Sequence, residues 1–191
     1  MSLSVKLDCK VVKEKEVLRD FGLEKVFEVQ VEHKRLSGTK DKLFVNISSS
    51  IDFDYKVGYF ITITGDLRSI RENTEEGFLN KTYIWATDIK TLDKEPEAYC
   101  NSVTGTATLI RKPFINDKND SVKDVAELVV RVNRSHNRKS IIHCSAWGNF
   151  AKLSTNLERG DIISLEGMLL SHLYKGKDLA EVSIYKLNKE E

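Results

Sequence analysis

Proline is nearly absent: Pro96 and Pro113 are the only two in 191 residues, too few for a proline-rich linker or a disordered tract. Cysteine is scarce as well. Cys9, Cys100 and Cys144 are odd in number, widely spaced and never in a C-x-x-C pair, which argues against a disulfide framework and against a zinc site. His33, His136, His143 and His172 have no carboxylate or cysteine at ligand spacing, so neither a metal nor a catalytic histidine is expected. No nucleophile motif, phosphate-cradling glycine loop or pair of acids is present, and no cofactor is expected; an enzyme is the least supported class. A long apolar run is missing, as is a charged, apolar, small-residue leader, so neither a membrane span nor export is expected and the location read from this is cytoplasmic. Charge of one sign is also lacking, with a net charge of +1. The halves differ, however: residues 101 to 191 carry 14 Lys and Arg against 11 Asp and Glu, leaving 16 against 18 of the chain's 30 and 29 for the first hundred.

What is abundant is alternation. Ser4 to Val11 sets Val5, Leu7, Cys9 and Val11 against Lys6, Asp8 and Lys10, the period of a half-buried strand. Lys13 to Gly22 is charged and reads as a loop. Lys25 to Lys34 follows with Phe27, Val29 and Val31 inward and Glu28, Gln30 and Glu32 outward. The turn signal Leu36 to Asp41 joins it to Lys42 to Ser48, where Leu43, Val45 and Ile47 take the buried face. Further on, Asn101 to Arg111 and Val125 to Asn133 read as strands, separated by a long polar loop over Pro113 to Asp124. A hairpin tip at Ser135 to Asn137 leads into Ser140 to Trp147, with Ile142, Cys144 and Ala146 facing one way and Ile141, His143, Ser145 and Trp147 the other. Phe150, Leu153 and Leu157 then share one stripe of a short helix that Gly160 ends. Ile163, Leu165, Gly167 and Leu169 mark the next strand, and Lys175-Gly176-Lys177 turns the chain into the last, Leu179 to Leu187.

Gly58 to Ser69, GYFITITGDLRS, lines up with Gly160 to Ser171, GDIISLEGMLLS, pairing Gly58 with Gly160, Gly65 with Gly167 and Ser69 with Ser171. The chain therefore contains an internal repeat. Phe27 to Arg35 lies on Leu128 to Arg134, Phe44 to Ser50 on Ile141 to Trp147, and Tyr83 to Leu92 on Leu179 to Leu187. Each half reads as one five-stranded barrel, with domains at 1–93 and 101–191 and a linker at 94–100 marked by the charged stretch Asp93 to Glu97, DKEPE. Twelve residues separate Trp147 from Gly160, enough for the helix, whereas seven separate Ser50 from Gly58. Those seven alternate Ile51, Phe53, Tyr55 and Val57, which predicts an extended connection without a helix.

Several of these residues also carry a resemblance. Trp147-Gly148 with Ala151 and Lys152, then Arg159-Gly160-Asp161, Glu166-Gly167 and Ser171, resemble the bacterial single-stranded DNA-binding protein family. So do Val130-Arg131-Val132-Asn133-Arg134 upstream, and Asn101, Val103, Gly105 and Pro113 before them. The resemblance covers about residues 101 to 188. It implies an all-β fold of two tandem five-stranded Greek-key barrels of the oligonucleotide-binding (OB) type, the second with a short helix between its third and fourth strands. It also implies non-catalytic binding of single-stranded DNA in replication, recombination or repair. Because family assemblies commonly gather four barrels, two per chain imply a homodimer. Replication or restart proteins are further implied partners, although Asn188-Lys189-Glu190-Glu191 does not resemble the family's acidic recruiting tail.

Binding of this kind needs aromatic platforms for bases and a basic track for phosphates. On the outward parity of the second half, strand two offers Val129, Arg131 and Asn133, and strand three Ile141, His143, Ser145 and Trp147. The hairpin adds Arg134, His136, Arg138 and Lys139. The resemblance implies stacking roles for Trp147, His136 and Tyr174, and a fourth at Ile141, where an aliphatic replaces the family's usual aromatic. In the first half Ser50 replaces the tryptophan, the outward acids oppose phosphate, and Phe44, opposite Ile141 in the alignment, is the one stacking candidate. That barrel reads chiefly as a structural or pairing partner. Blander readings compete: Trp147 as a cap on the barrel core, Tyr174 as an ordinary loop aromatic, and Arg134 to Lys139 as a solvated hairpin. Two other functions also compete, a primosomal replication-restart protein of related fold and a barrel that binds protein without nucleic acid.

Overall fold

The computed structural model describes residues 1–20, 25–53, 56–74, 77–116, 124–134 and 138–190. Alternation in the sequence becomes strand: β1 (Leu3–Val11) buries Leu3, Val5, Leu7, Cys9 and Val11 and exposes Ser4 and Lys6. The first half continues with β2 (Glu16–Asp20), β3 (Lys25–Lys34), β4 (Lys40–Ser48), β5 (Phe60–Thr74) and β6 (Gly77–Leu92). The second half has β7 (Asn101–Leu109), β8 (Phe114–Asn116), β9 (Val125–Asn133), β10 (Lys139–Trp147), α1 (Asn149–Ser154), β11 (Ile162–Tyr174) and β12 (Lys177–Lys189). β1 pairs with β3 and β5, β3 with β4, β4 in parallel with β6, and β6 with β5. Five strands thus close into a ring, which removes open edges from the barrel. The circuit β7, β9, β10, β12, β11 repeats it, again with one parallel pair, β10 on β12.

The two rings share a register as well as a topology. β1 and β7 run antiparallel with Val5 opposite Val103, so the barrels are joined into one continuous sheet about a local pseudo-dyad. A β-bulge falls at Gly65 in one hairpin and at Gly167 in the other. Both glycines are needed for space, since a Cβ would sit 2.2 Å from the Trp85 carbonyl oxygen at Gly65 and 2.6 Å from that of Ser183 at Gly167.

The ladders also correct the alignment of the repeats. Val26 faces Ser48 as Val125 faces Trp147, and Gln30 faces Phe44 as Val129 faces His143. Phe44 therefore matches His143 rather than Ile141, and Ser48 rather than Ser50 stands in the place of Trp147. Other expectations shift locally. The expected loops at Lys13 to Gly22 and Pro113 to Asp124 each contain a short edge strand, β2 and β8, paired only with β3 and β9. Val17, Leu18 and Phe114 on them are exposed, so no alternation announces strands laid outside a barrel. Phe27 is half-buried under Lys15, whose Nζ lies 4.7 Å from its ring, and Val26 is buried instead. In α1 the buried residues are Ala151 and Ser154, with Leu157 beyond, while Leu153 is exposed. Gly160 lies in the turn before β11, past the helix end at Ser154. Described residues between β4 and β5 contain no helix; Tyr55 lies outside the described residues.

The segment between β6 and β7 folds back on the first barrel. The Tyr99 ring meets His33 edge-on at 5.7 Å and its hydroxyl donates to Glu95. Burial and that bond push the Tyr99 phenol up to about 12. Among the described residues no helix is long and apolar enough to cross a membrane.

Both strand cysteines are inward. Burial, with Asp8 nearby, raises the Cys9 thiol well above its ordinary value, and burial with Glu181 does the same to Cys144. Cys100 is partly exposed. Thiolate is the reactive form, so a thiol reagent on the native protein at mildly alkaline pH is expected to modify Cys100 alone, and all three only in denaturant. Rapid native labelling of Cys9 or Cys144, read by mass spectrometry, would contradict the inward parity of β1 and β10.

Candidate nucleic-acid interface

Strand pairing presents most of the candidate residues on one surface. β9 and β10 are hydrogen-bonded from Val125–Trp147 to Asn133–Lys139, with Arg131 directly opposite Ile141 and Val129 opposite His143. Trp147 is the last residue of β10. Its backbone is held by the pairing with Val125, and the next amide, Gly148 N–H, donates to the Asp124 carbonyl at 2.9 Å. The side chain is 45% exposed. A rigid backbone carrying an exposed ring suits base stacking, because little backbone freedom remains to be lost.

Cations surround this surface. Arg134 N–H donates to the Arg138 carbonyl at 2.7 Å, closing the β9–β10 hairpin so that both side chains flank its tip. Arg138 and Lys139 are exposed, and Arg131 and Arg134 are half-buried. Among the described residues none of the four is ion-paired, and the buried Nε of Arg131 has no hydrogen-bond partner. Unpaired guanidinium groups are suited to phosphate, since binding breaks no existing bond. Ile141 is half-buried and His143 exposed on the same face. Desolvation of the ring, and then Arg111, lower the His143 pKa; Glu127 pulls the other way, and His172 adds a smaller lowering. Val129 and Ser145, expected outward, are buried; Ser145 donates to Glu181 at 3.4 Å. His136 lies outside the described residues.

Tyr174 is placed differently. It ends β11 at the tip of the β11–β12 hairpin and is 48% exposed, with Lys175 Nζ 5.6 Å from its ring. With Asn73, Thr74, Phe78 and Leu79 of the β5–β6 hairpin it lines a cleft of about 570 Å³, beside which Lys177 pairs with Glu72 at 3.7 Å. Phe78 is 64% exposed under Arg71, whose guanidinium is 3.3 Å from the ring centroid. The sequence reading missed this second aromatic and cationic cluster. Its one signal was an aromatic, Phe78, set between Glu75-Glu76 and Lys81 in the sequence.

The first barrel offers less. Lys81 Nζ sits 3.8 Å from the Phe44 ring centroid and is bonded to Glu28 at 2.9 and 3.0 Å, so a base reaching Phe44 has to displace an ion pair. Glu32 is likewise paired, with Lys40 at 2.7 Å. The acids expected to repel phosphate are thus half-buried and neutralised, and the face is closed rather than strongly negative.

Comparison with known proteins bears on the fold. No protein-family model matches the sequence, and no curated protein does. Among solved structures, the wild-type single-stranded DNA binding protein from Thermus aquaticus superposes with a TM-score of 0.78 at 17% identity, covering 99% of this chain and 93% of that one. A deletion mutant of the same protein gives 0.77 at 16%, covering 98% and 94%. The N-terminal domain of PriB protein from Thermoanaerobacter tencongensis is 30% identical over 48% of this chain and 97% of its own, with a TM-score of 0.41. From β1 to β12, then, this chain has the tandem OB-fold architecture of the Thermus aquaticus single-stranded DNA binding protein.

Proposed function

We propose that the protein binds single-stranded DNA, without catalysis, along the β9–β10 face of its second barrel. One observation carries the reading: an exposed Trp147 on a rigid strand end shares a face with Arg131, Arg134, Arg138 and Lys139, none ion-paired among the described residues. Stacking on Trp147 and contact with the cations supply the two terms that sequence-tolerant binding of a single strand needs. The fold shared with the Thermus aquaticus protein supports it. Residues 101–191 form the binding unit, 94–100 the linker, and 1–93 a pairing partner whose Phe44 is closed by Lys81. Two chains associate to present four barrels in the cytoplasm, serving replication, recombination or repair.

The test follows tryptophan fluorescence in the unaltered protein and in Trp147→Phe protein, the difference between the two being the signal of Trp147. Titration with a thymidine oligomer at low salt is expected to quench its fluorescence strongly. Binding detected by anisotropy without any change in Trp147 emission would place the strand elsewhere. Absence of binding would leave the fold to a protein-interaction role.

A further inference from the structure

The pseudo-dyad creates two equivalent seams between the barrels, and they are not chemically equivalent. At each seam a serine of one barrel bridges a hairpin strand of the other. Ser171 Oγ accepts from Lys42 N–H at 2.9 Å, and Ser69 Oγ accepts from Ile141 N–H at 2.8 Å. At the first seam Asp41, fully buried, accepts the Ser171 N–H at 2.6 Å and binds both arms of Arg35, one of them Nε at 2.7 Å. Arg35 also donates to the Ser171 carbonyl at 3.2 Å. That guanidinium is held through Nε and one terminal nitrogen.

At the second seam the matching hairpin has the same closure, Arg134 N–H to Arg138 C=O in place of Arg35 N–H to Thr39 C=O. Here Ser140 replaces Asp41, and its hydroxyl accepts the Ser69 N–H at 3.0 Å. Among the described residues Arg134 consequently has no carboxylate partner. The strand residues differ in the same sense: the register sets Arg68 and Trp85 where the first seam has Leu170 and Ser183, and Tyr83 where it has Glu181. Arg68 Cζ lies 4.3 Å from the Trp85 ring centroid, a cation–π contact that holds the guanidinium in place. Burial lowers the Arg68 pKa, and Arg134 lowers it further; Tyr83 and Asp66 pull the other way, and Arg138 adds a smaller lowering. Ser69, the neighbour of Arg68, is bonded to Ser140 and Ile141, two and three residues past Arg138, so the three arginines belong to one seam, and none is ion-paired among the described residues.

We propose that this seam, Arg68 on Trp85 from the first barrel with Arg134 and Arg138 from the second, binds the phosphodiester backbone of a single strand and carries it from the β9–β10 face across to the first barrel. The proposal rests on the DNA-binding reading above and extends it. It makes the first barrel a contributor to the site through Arg68 rather than through Phe44. Like charges gathered on one seam favour an anion that joins them; at the mirror seam the Asp41 carboxylate takes that place beside Arg35.

Labelled thymidine oligomers titrated by anisotropy at several salt concentrations test it, with wild type, Arg68→Gln and Ser140→Asp. The second variant rebuilds the carboxylate that Asp41 supplies at the other seam. Thermal unfolding of each reports that it is folded. Each variant is expected to bind about tenfold more weakly at low salt, with the logarithmic salt slope shallower by about 0.7 for each phosphate no longer neutralised. Wild-type binding with both variants unchanged in affinity and slope overturns the seam alone. Failure of the wild type to bind overturns the DNA reading and the seam with it. Variants that keep thymidine binding but lose binding to polyglutamate would give the seam to an acidic polypeptide instead, and overturn the assignment to DNA.

Discussion

Trp147→Ala protein is expected to bind a thymidine oligomer about 5- to 150-fold more weakly than wild type at equal salt, since one base–aromatic stack is worth about 1 to 3 kcal/mol. The loss should leave the salt slope unchanged, because stacking releases no counterions. It should also leave the fold intact: Trp147 is 45% exposed, and the β10 backbone is held by its ladder with β9 rather than by the ring. Phe44→Ala should cost little, because Lys81 already covers that ring. Isothermal titration of the two variants side by side checks the contrast. Equal losses would mean that the first barrel stacks bases as the second does, and a Trp147→Ala protein that unfolds early would make this tryptophan a core cap.

Asp41→Ala is expected to destabilise the native chain by about 2 to 4 kcal/mol. The carboxylate is fully buried and serves the Arg35 guanidinium and the Ser171 amide across the seam. Hydrogen bonding to it raises the Arg35 pKa. Removing it leaves the half-buried Ser171 N–H without that acceptor, while Arg35, with a side chain 31% exposed, can recover part of its solvation. Ser140→Ala at the other seam removes one neutral acceptor from the Ser69 N–H and should cost about 1 kcal/mol. Urea unfolding of both variants reads the difference. Indistinguishable midpoints would contradict the claim that one seam is closed by charge and the other left open.

Much of the architecture was legible because each strand alternates. The inward set of β1, the β11 set of Ile163, Leu165, Gly167 and Leu169, and the pairing of Gly65 with Gly167 as repeat positions could be read directly from spacing. The alignment of Phe44 failed for a physical reason. A slip of two residues along a strand keeps every side chain on the same face, so alternation cannot detect it, and only the ladder opposite β3 distinguishes His143 from Ile141 as its partner position. The helix stripe failed because six residues make fewer than two turns, and Leu157, counted into the stripe, lies beyond them. Most of the candidate surface was readable from its run of cations and its terminal tryptophan. The seam was not. Arg68 sits three residues past a bulge and Trp85 in a strand of ordinary composition, and they meet Arg134 only when β1 pairs with β7 and the barrels turn about Val5 and Val103. Asp41 was equally silent, since an aspartate ending Leu36 to Asp41 reads as turn chemistry until a second barrel buries it.

The central claim is that this fold binds a single strand through phosphates and stacking. Anisotropy of a labelled thymidine oligomer with the unaltered chain, at two salt concentrations, tests it most directly. The account predicts binding at low salt that weakens as salt rises, with a logarithmic slope of about −0.7 for each phosphate neutralised. No binding at low salt, or binding indifferent to salt, would contradict it.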